Sequence, residues 1–152
     1  MAEPTEELAA TARERSIRVA VAESLTCGLL ASTVGKGTDA ESWFAGGVVA
    51  YQTPVKEALL GLEPGTDPCS AECAVQLARG VRELLDVEIA VSTTGVGGPD
   101  PQDGHPAGTV FLGWATADGT GHRQLALDGP PEAVLDRTVD EAIALLDELV
   151  RG

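Results

Sequence analysis

Apolar runs rich in β-branched residues alternate along this chain with stretches of helical periodicity, and the two kinds meet through polar or glycine-rich junctions. That alternation is the strongest constraint on the fold, because strands separated by helices stack into a sheet with helices on both faces. Residues 4–15 read as a helix with Pro4 in its first turn, and 16–23 (SIRVAVAE) as a first strand. A short helix is expected over 25–34 and a second strand over 44–52 (FAGGVVAYQ). TPVKEALLG reads as a helix with Thr53 as N-cap, Pro54 at the first helical position and Gly61 as its stop. The following helix, capped at Ser70, sets Ala74, Leu77, Ala78, Val81, Leu84 and Leu85 on one face. A buried strand over 87–95, a hairpin of strands over 109–117 and 122–128 around DGTG, and a last helix over 131–150 complete the pattern. The fold expected is a single α/β domain over residues 1–152, a three-layer αβα sandwich with a mixed, mostly parallel sheet of about five strands.

Charge narrows the range of partners. Acidic residues outnumber basic ones 24 to 10, giving a net charge of −14. Such a surface repels phosphate backbones and anionic lipids, so neither a nucleic-acid nor a membrane partner is expected. No apolar run approaches the roughly 20 residues that a bilayer span needs. The opening MAEPTEELAATARERS is acidic and amphipathic rather than signal-like, and a cytoplasmic protein is expected. Cys27, Cys69 and Cys73 show no paired motif and no adjacent histidines. They read as reduced thiols packed like small hydrophobes, with no disulfide framework, no metal site and no cofactor.

Ligands of α/β sheets bind beyond the carboxyl ends of the parallel strands. Three polar segments would converge there: ESLT after the first strand, YQTPVK after the second and TTGVGGP after the third. Each also has an ordinary structural reading. Ser24 or Thr26 could cap a helix, Tyr51 could end a strand with its hydroxyl at the rim, and the glycines could serve a plain connector. Lys56 is one of only two lysines and sits in a first helical turn, where the helix dipole does not favour a cation. His105 and His122 read as loop or surface residues. Taken together, Ser24 and Lys56 suggest nucleophilic chemistry in which an amine takes the proton of a serine hydroxyl. Tyr51 would relay that proton or hold the lysine, and backbone N–H groups around Gly95, Gly97 and Gly98 would stabilise an oxyanion. Pattern alone supports a small-molecule site in an α/β domain, a serine hydrolase being one form of it.

The segments VAVAESLTCGLLAS, AGGVVAYQTPVKEALLG and TTGVGGPDPQDGHPAGTVFLG, in this order, resemble the signature segments of the CinA C-terminal domain family. The resemblance spans about residues 5–150 and implies a three-layer αβα domain with nicotinamide-nucleotide amidase activity. The reaction implied is hydrolysis of the carboxamide of nicotinamide mononucleotide (NMN) to nicotinate mononucleotide and ammonia, without a metal, in NAD salvage. It also implies self-association into a homo-oligomer. Carried over by position, it makes Ser24 the nucleophile, Lys56 the base and proton donor, and Tyr51 the assisting hydroxyl. Thr94 and Gly95 would form the substrate pocket, with Gly97, Gly98, Gly108 and Thr109 beside it. Thr26 and Gly28 would hold the substrate phosphate at a helix N-terminus.

This chain departs from the family pattern at three places. Cys27 replaces a glycine, which would narrow the pocket if close backbone approach were needed there. DPCS at 67–70 stands where relatives often read GAVS. DGPPEAVLDR leaves Arg137 as the nearest arginine where the family carries one for the substrate phosphate at the start of the last helix, and Arg137, or an arginine of another subunit, would take that substrate-binding place. The N-terminal domain of longer members has no counterpart, so a stand-alone domain is expected. The alternatives weighed against an NMN amidase are a silent nucleotide- or protein-binding regulatory module and an amidase for another small amide.

Overall fold

The computed structural model describes residues 3–152. Its elements run α1 (Pro4–Arg15), β1 (Val19–Glu23), α2 (Leu29–Val34), α3 (Ala40–Trp43), β2 (Phe44–Val49), α4 (Thr53–Leu60), α5 (Ala71–Leu85), β3 (Ile89–Gly95), β4 (Thr109–Thr116), β5 (Gly119–Ala126) and α6 (Pro131–Arg151). The strands form one sheet in the order β2-β1-β3-β4-β5. β1 pairs in parallel with β2 and β3, while β3 with β4 and β4 with β5 are antiparallel. The sheet is therefore mixed, as expected. Four strands point one way and β4 the other, yet neighbouring pairs divide evenly between parallel and antiparallel.

Side-chain alternation along the central strands separates two cores. Val19 and Val21 of β1 and Ile89 and Val91 of β3 pack with Leu8, Leu30 and Leu146 from α1, α2 and α6. Ala20, Ala22 and Ala90 face the other way, toward Leu60 of α4 and Leu77 and Val81 of α5. The second face is lined by small residues, so α5 lies close to the sheet. At Gly113 an added Cβ would stand 2.1 Å from the Ala74 carbonyl oxygen, and that same oxygen accepts a hydrogen bond from the Ser92 hydroxyl at 2.5 Å. No helix among the described residues is long and apolar enough to cross a membrane.

Several boundaries differ from the sequence expectation for local reasons. α3 lies between the helix expected over 25–34 and the strand expected from 44, where no element is expected, its Trp43 indole N–H donating to the Thr38 carbonyl at 3.0 Å. Thr53 is the first residue of α4 rather than its cap. Gln52 occupies the cap position without a side-chain bond, and Pro54 presets the first turn. Ser70 caps α5 as expected, its hydroxyl accepting from the Cys73 N–H at 3.1 Å. Leu84 is exposed, because the face of α5 that meets the sheet is set by Cys73, Ala74, Leu77, Ala78 and Val81.

The turn between β1 and α2 departs furthest from expectation. α2 starts at Leu29 rather than near 25. Neither Ser24 nor Thr26 caps it. The Glu23 carboxylate, 1% exposed, accepts from the Leu30 N–H at 2.8 Å and the Ala31 N–H at 3.0 Å. Reaching that geometry takes two successive left-handed residues, Cys27 at φ 46° and Gly28 at φ 97°. Glycine adopts this conformation freely, whereas a side chain there is strained. Cys27→Gly is therefore expected to stabilise the fold by roughly 0.5–1 kcal/mol, the relief of strain outweighing the entropy glycine adds to the unfolded chain. Denaturant unfolding followed by circular dichroism reads this as a higher midpoint at unchanged slope.

Candidate active site

The carboxyl ends of β1, β2 and β3 open on a cavity of about 510 Å³. Ser24 enters it directly after β1, held by its own N–H donating to the Thr93 carbonyl at 3.0 Å and by its carbonyl accepting from the Cys27 N–H at 3.1 Å. Lys56 reaches it from the first turn of α4, and Tyr51 stands at its rim in the link from β2. Ser24 is 7% exposed and Lys56 3%, whereas Tyr51 is 64% exposed. Among the described residues Lys56 forms no ion pair. Ser24 and Lys56, separated in the chain by α2, α3 and β2, are thus two buried polar residues on one cavity.

The segment between β3 and β4 supplies the opposite wall through Thr94, Gly95, Gly97 and Gly98. Gly95 has φ 150°, and an added Cβ there would lie 2.4 Å from the Thr109 carbonyl oxygen, so the two strands close tightly at this point. The Thr94 hydroxyl donates to the Pro68 carbonyl and ties β3 to the start of α5. His105 reaches back from the same segment to Asp67 at 2.7 Å, and Asp67 also accepts from the Cys69 N–H at 2.9 Å. Burial acts to raise the Asp67 carboxyl, but the Cys69 amide and the His105 ring together hold it below the ordinary carboxylate value. Among the described residues the amides of Gly97 and Gly98 donate to no backbone acceptor.

Five of the residues singled out in the sequence do not line this cavity. Thr26 is buried with its hydroxyl shared with that of Thr93 at 2.8 Å, and Gly28 serves the left-handed turn. The amides at the start of α2 are engaged by Glu23, so the expectation that Thr26 and Gly28 hold a phosphate there is corrected. Gly108 is required by packing, since an added Cβ would stand 1.9 Å from the Leu127 carbonyl oxygen. Thr109 accepts the Val96 N–H on its carbonyl at 2.9 Å and frames the loop from behind. Arg137 points outward and pairs with Glu141 at 3.5 Å, while Pro131 and Leu135 are what α6 presents to the cavity. Cys27 is exposed and outside the lining, so its cost is backbone strain and the pocket is not narrowed by it.

The sequence reading missed Leu25, Cys69, Asp100, Asp103 and Leu135 on the cavity wall. The two aspartates lie in the glycine- and proline-rich segment that follows the third strand, but no pattern showed which way that segment folds. Burial first, then the neighbouring Asp67 and Asp103 carboxylates, pushes the Cys69 thiol up to about 11. Cys73 is also raised, chiefly by burial, with Lys56 opposing. Both thiols are thereby held away from the reactive thiolate form.

The chain is thus a mixed α/β domain with a ligand-sized cavity at its strand ends, bordered by a serine, a lysine and a glycine-rich loop. The CinA C-terminal domain model matches residues 1–150, and the chain belongs to that family. A CinA-like protein of Frankia casuarinae is 38% identical over 143 residues, covering 91% of this chain. The chain spans 33% of that relative's length. A CinA superfamily protein of Klebsiella pneumoniae superposes with a TM-score of 0.92 at 28% identity, covering 97% of this chain and 96% of its own. One from Escherichia coli gives 0.90 at 29% identity, covering 95% and 87%.

Thiol accessibility checks the arrangement of the cavity wall. In native protein at neutral pH, iodoacetamide is expected to modify exposed Cys27 readily and to leave Cys69 and Cys73 untouched. Peptide mapping that finds Cys69 alkylated as fast as Cys27 would contradict the buried wall described above.

Proposed function

We propose that this chain is an amidohydrolase that releases ammonia from a small pyridine carboxamide in NAD salvage, NMN being the substrate that the family resemblance implies. One observation carries the reading: Ser24 and Lys56, each more than nine-tenths buried, border the same cavity. The Ser24 Oγ attacks the carboxamide carbon while Lys56 takes its proton. The tetrahedral oxyanion is held by free amides such as those of Gly97 and Gly98. Lys56 then gives the proton to the departing nitrogen, and ammonia leaves an acyl ester on Ser24. Water attacks the ester with Lys56 again as base, which frees the carboxylic acid and restores the hydroxyl. Tyr51 at the rim assists by hydrogen-bonding the substrate or passing the proton. Water and carboxamide go in and carboxylate and ammonium come out, with no redox partner.

The alternative is a silent nucleotide- or protein-binding module. It is favoured by a single feature, the outward-facing Arg137 with Pro131 and Leu135 standing where the family carries arginine. An ammonia-release assay separates the two readings. Wild-type protein is expected to deamidate at least one pyridine carboxamide, and Ser24→Ala and Lys56→Met are each expected to lose at least ~10³-fold in kcat with unchanged thermal unfolding. Wild-type protein inert toward the whole panel would favour the binding module.

A further inference from the structure

The cavity has a charge pattern that bears on its substrate. Lys56 is the one basic side chain on its wall, buried and without an ion pair among the described residues, and it borders the same cavity as Ser24, to which the carboxamide must be presented. Asp100 and Asp103 also line the cavity, and both are exposed, which puts them on the solvent side. Asp103 is not on a loose tether. Gln102 and His105 exchange two backbone hydrogen bonds across it at 3.0 and 2.9 Å, and the His105 ring is fixed to Asp67 at 2.7 Å. The field of Asp103 reaches the cavity wall, since it helps to push up the Cys69 thiol.

A carboxamide presented to Ser24 must extend the rest of its molecule toward that mouth. A phosphate there would meet two carboxylates and no guanidinium, since Arg137 is turned away and paired with Glu141. The net charge of −14 adds to the repulsion. A neutral or cationic group would instead be welcomed by Asp100 and Asp103.

We propose that this site selects carboxamides whose remaining part is uncharged or cationic and carries no phosphate, an N-ribosylpyridinium carboxamide being the fitting class. The inference rests on the amidohydrolase reading for its chemistry, but its charge preference is a property of binding and is tested separately.

The Ser24→Ala protein, in whatever assembly it adopts, is titrated by calorimetry at low ionic strength with NMN and with nicotinamide riboside, the same molecule without its phosphate. The riboside is expected to bind at least ~10-fold more tightly, and Asp100→Asn with Asp103→Asn is expected to shrink that gap by at least ~5-fold. NMN binding as tightly as the riboside or more so, neither compound binding, or a gap unmoved by the two substitutions would overturn the proposal. Wild-type protein that shows the expected binding preference but releases no ammonia from either compound would leave the charge selection standing and sink the amidohydrolase reading alone.

Discussion

The buried carboxylate of Glu23 holds the site together. A charge 1% exposed inside an apolar sheet is costly unless hydrogen bonds replace its hydration. Here two consecutive amides of α2, those of Leu30 and Ala31, supply them, aided by the positive end of the helix dipole. The helix is thereby fastened to the end of β1, and the chain between them must fold into a tight turn. Ser24 sits at the first corner of that turn, with its N–H on Thr93, so its hydroxyl is placed by the sheet rather than by a flexible loop. The polar junction between strand and helix has divided its labour: Glu23 anchors, Ser24 faces the cavity, and Thr26 ties the turn to β3 through Thr93.

The other walls depend on equally specific ties. Lys56 is delivered by α4, whose first turn is preset by Pro54 and which ends at left-handed Gly61. The glycine-rich segment is clamped at three points, by Thr94 on Pro68, by His105 on Asp67, and by the Val96 and Thr109 backbone pair. Small residues on the α5 face of the sheet, with Gly113 beneath Ala74, bring α5 close enough for Cys69 to join the wall. The result is a cavity whose inner end is a hydroxyl and an amine and whose outer end is acidic.

Much of this was legible in the residues. Periodicity located every strand and every helix except α3, whose four residues are too few to show a period. It also put Ser24, Tyr51, Lys56 and the Thr94–Gly98 stretch at the correct end of the sheet, because side chains following parallel strands have nowhere else to converge. What failed was local capping. A serine before a helix suggests an N-cap, but a carboxylate at the end of the preceding strand can do the same work through tertiary structure, and no sequence window reveals that. Gly108 looked like part of a pocket and proves to be a packing glycine under Leu127. Arg137 was the nearest arginine in sequence, but the helical angle between it and Leu135 turns it outward to Glu141. The direction of the Asp100 and Asp103 loop is set by the Asp67 to His105 pair, a contact thirty-eight residues long in sequence.

In the proposed mechanism Ser24 is an activated nucleophile with Lys56 as its base. Intact-mass and peptide analysis after exposure to a small sulfonyl fluoride tests it most directly, since such reagents react with serine hydroxyls that a neighbouring base activates. A single adduct on Ser24, lost when Lys56 is replaced by methionine, is the predicted result. No adduct at Ser24, or one that forms equally fast without the lysine, would contradict it.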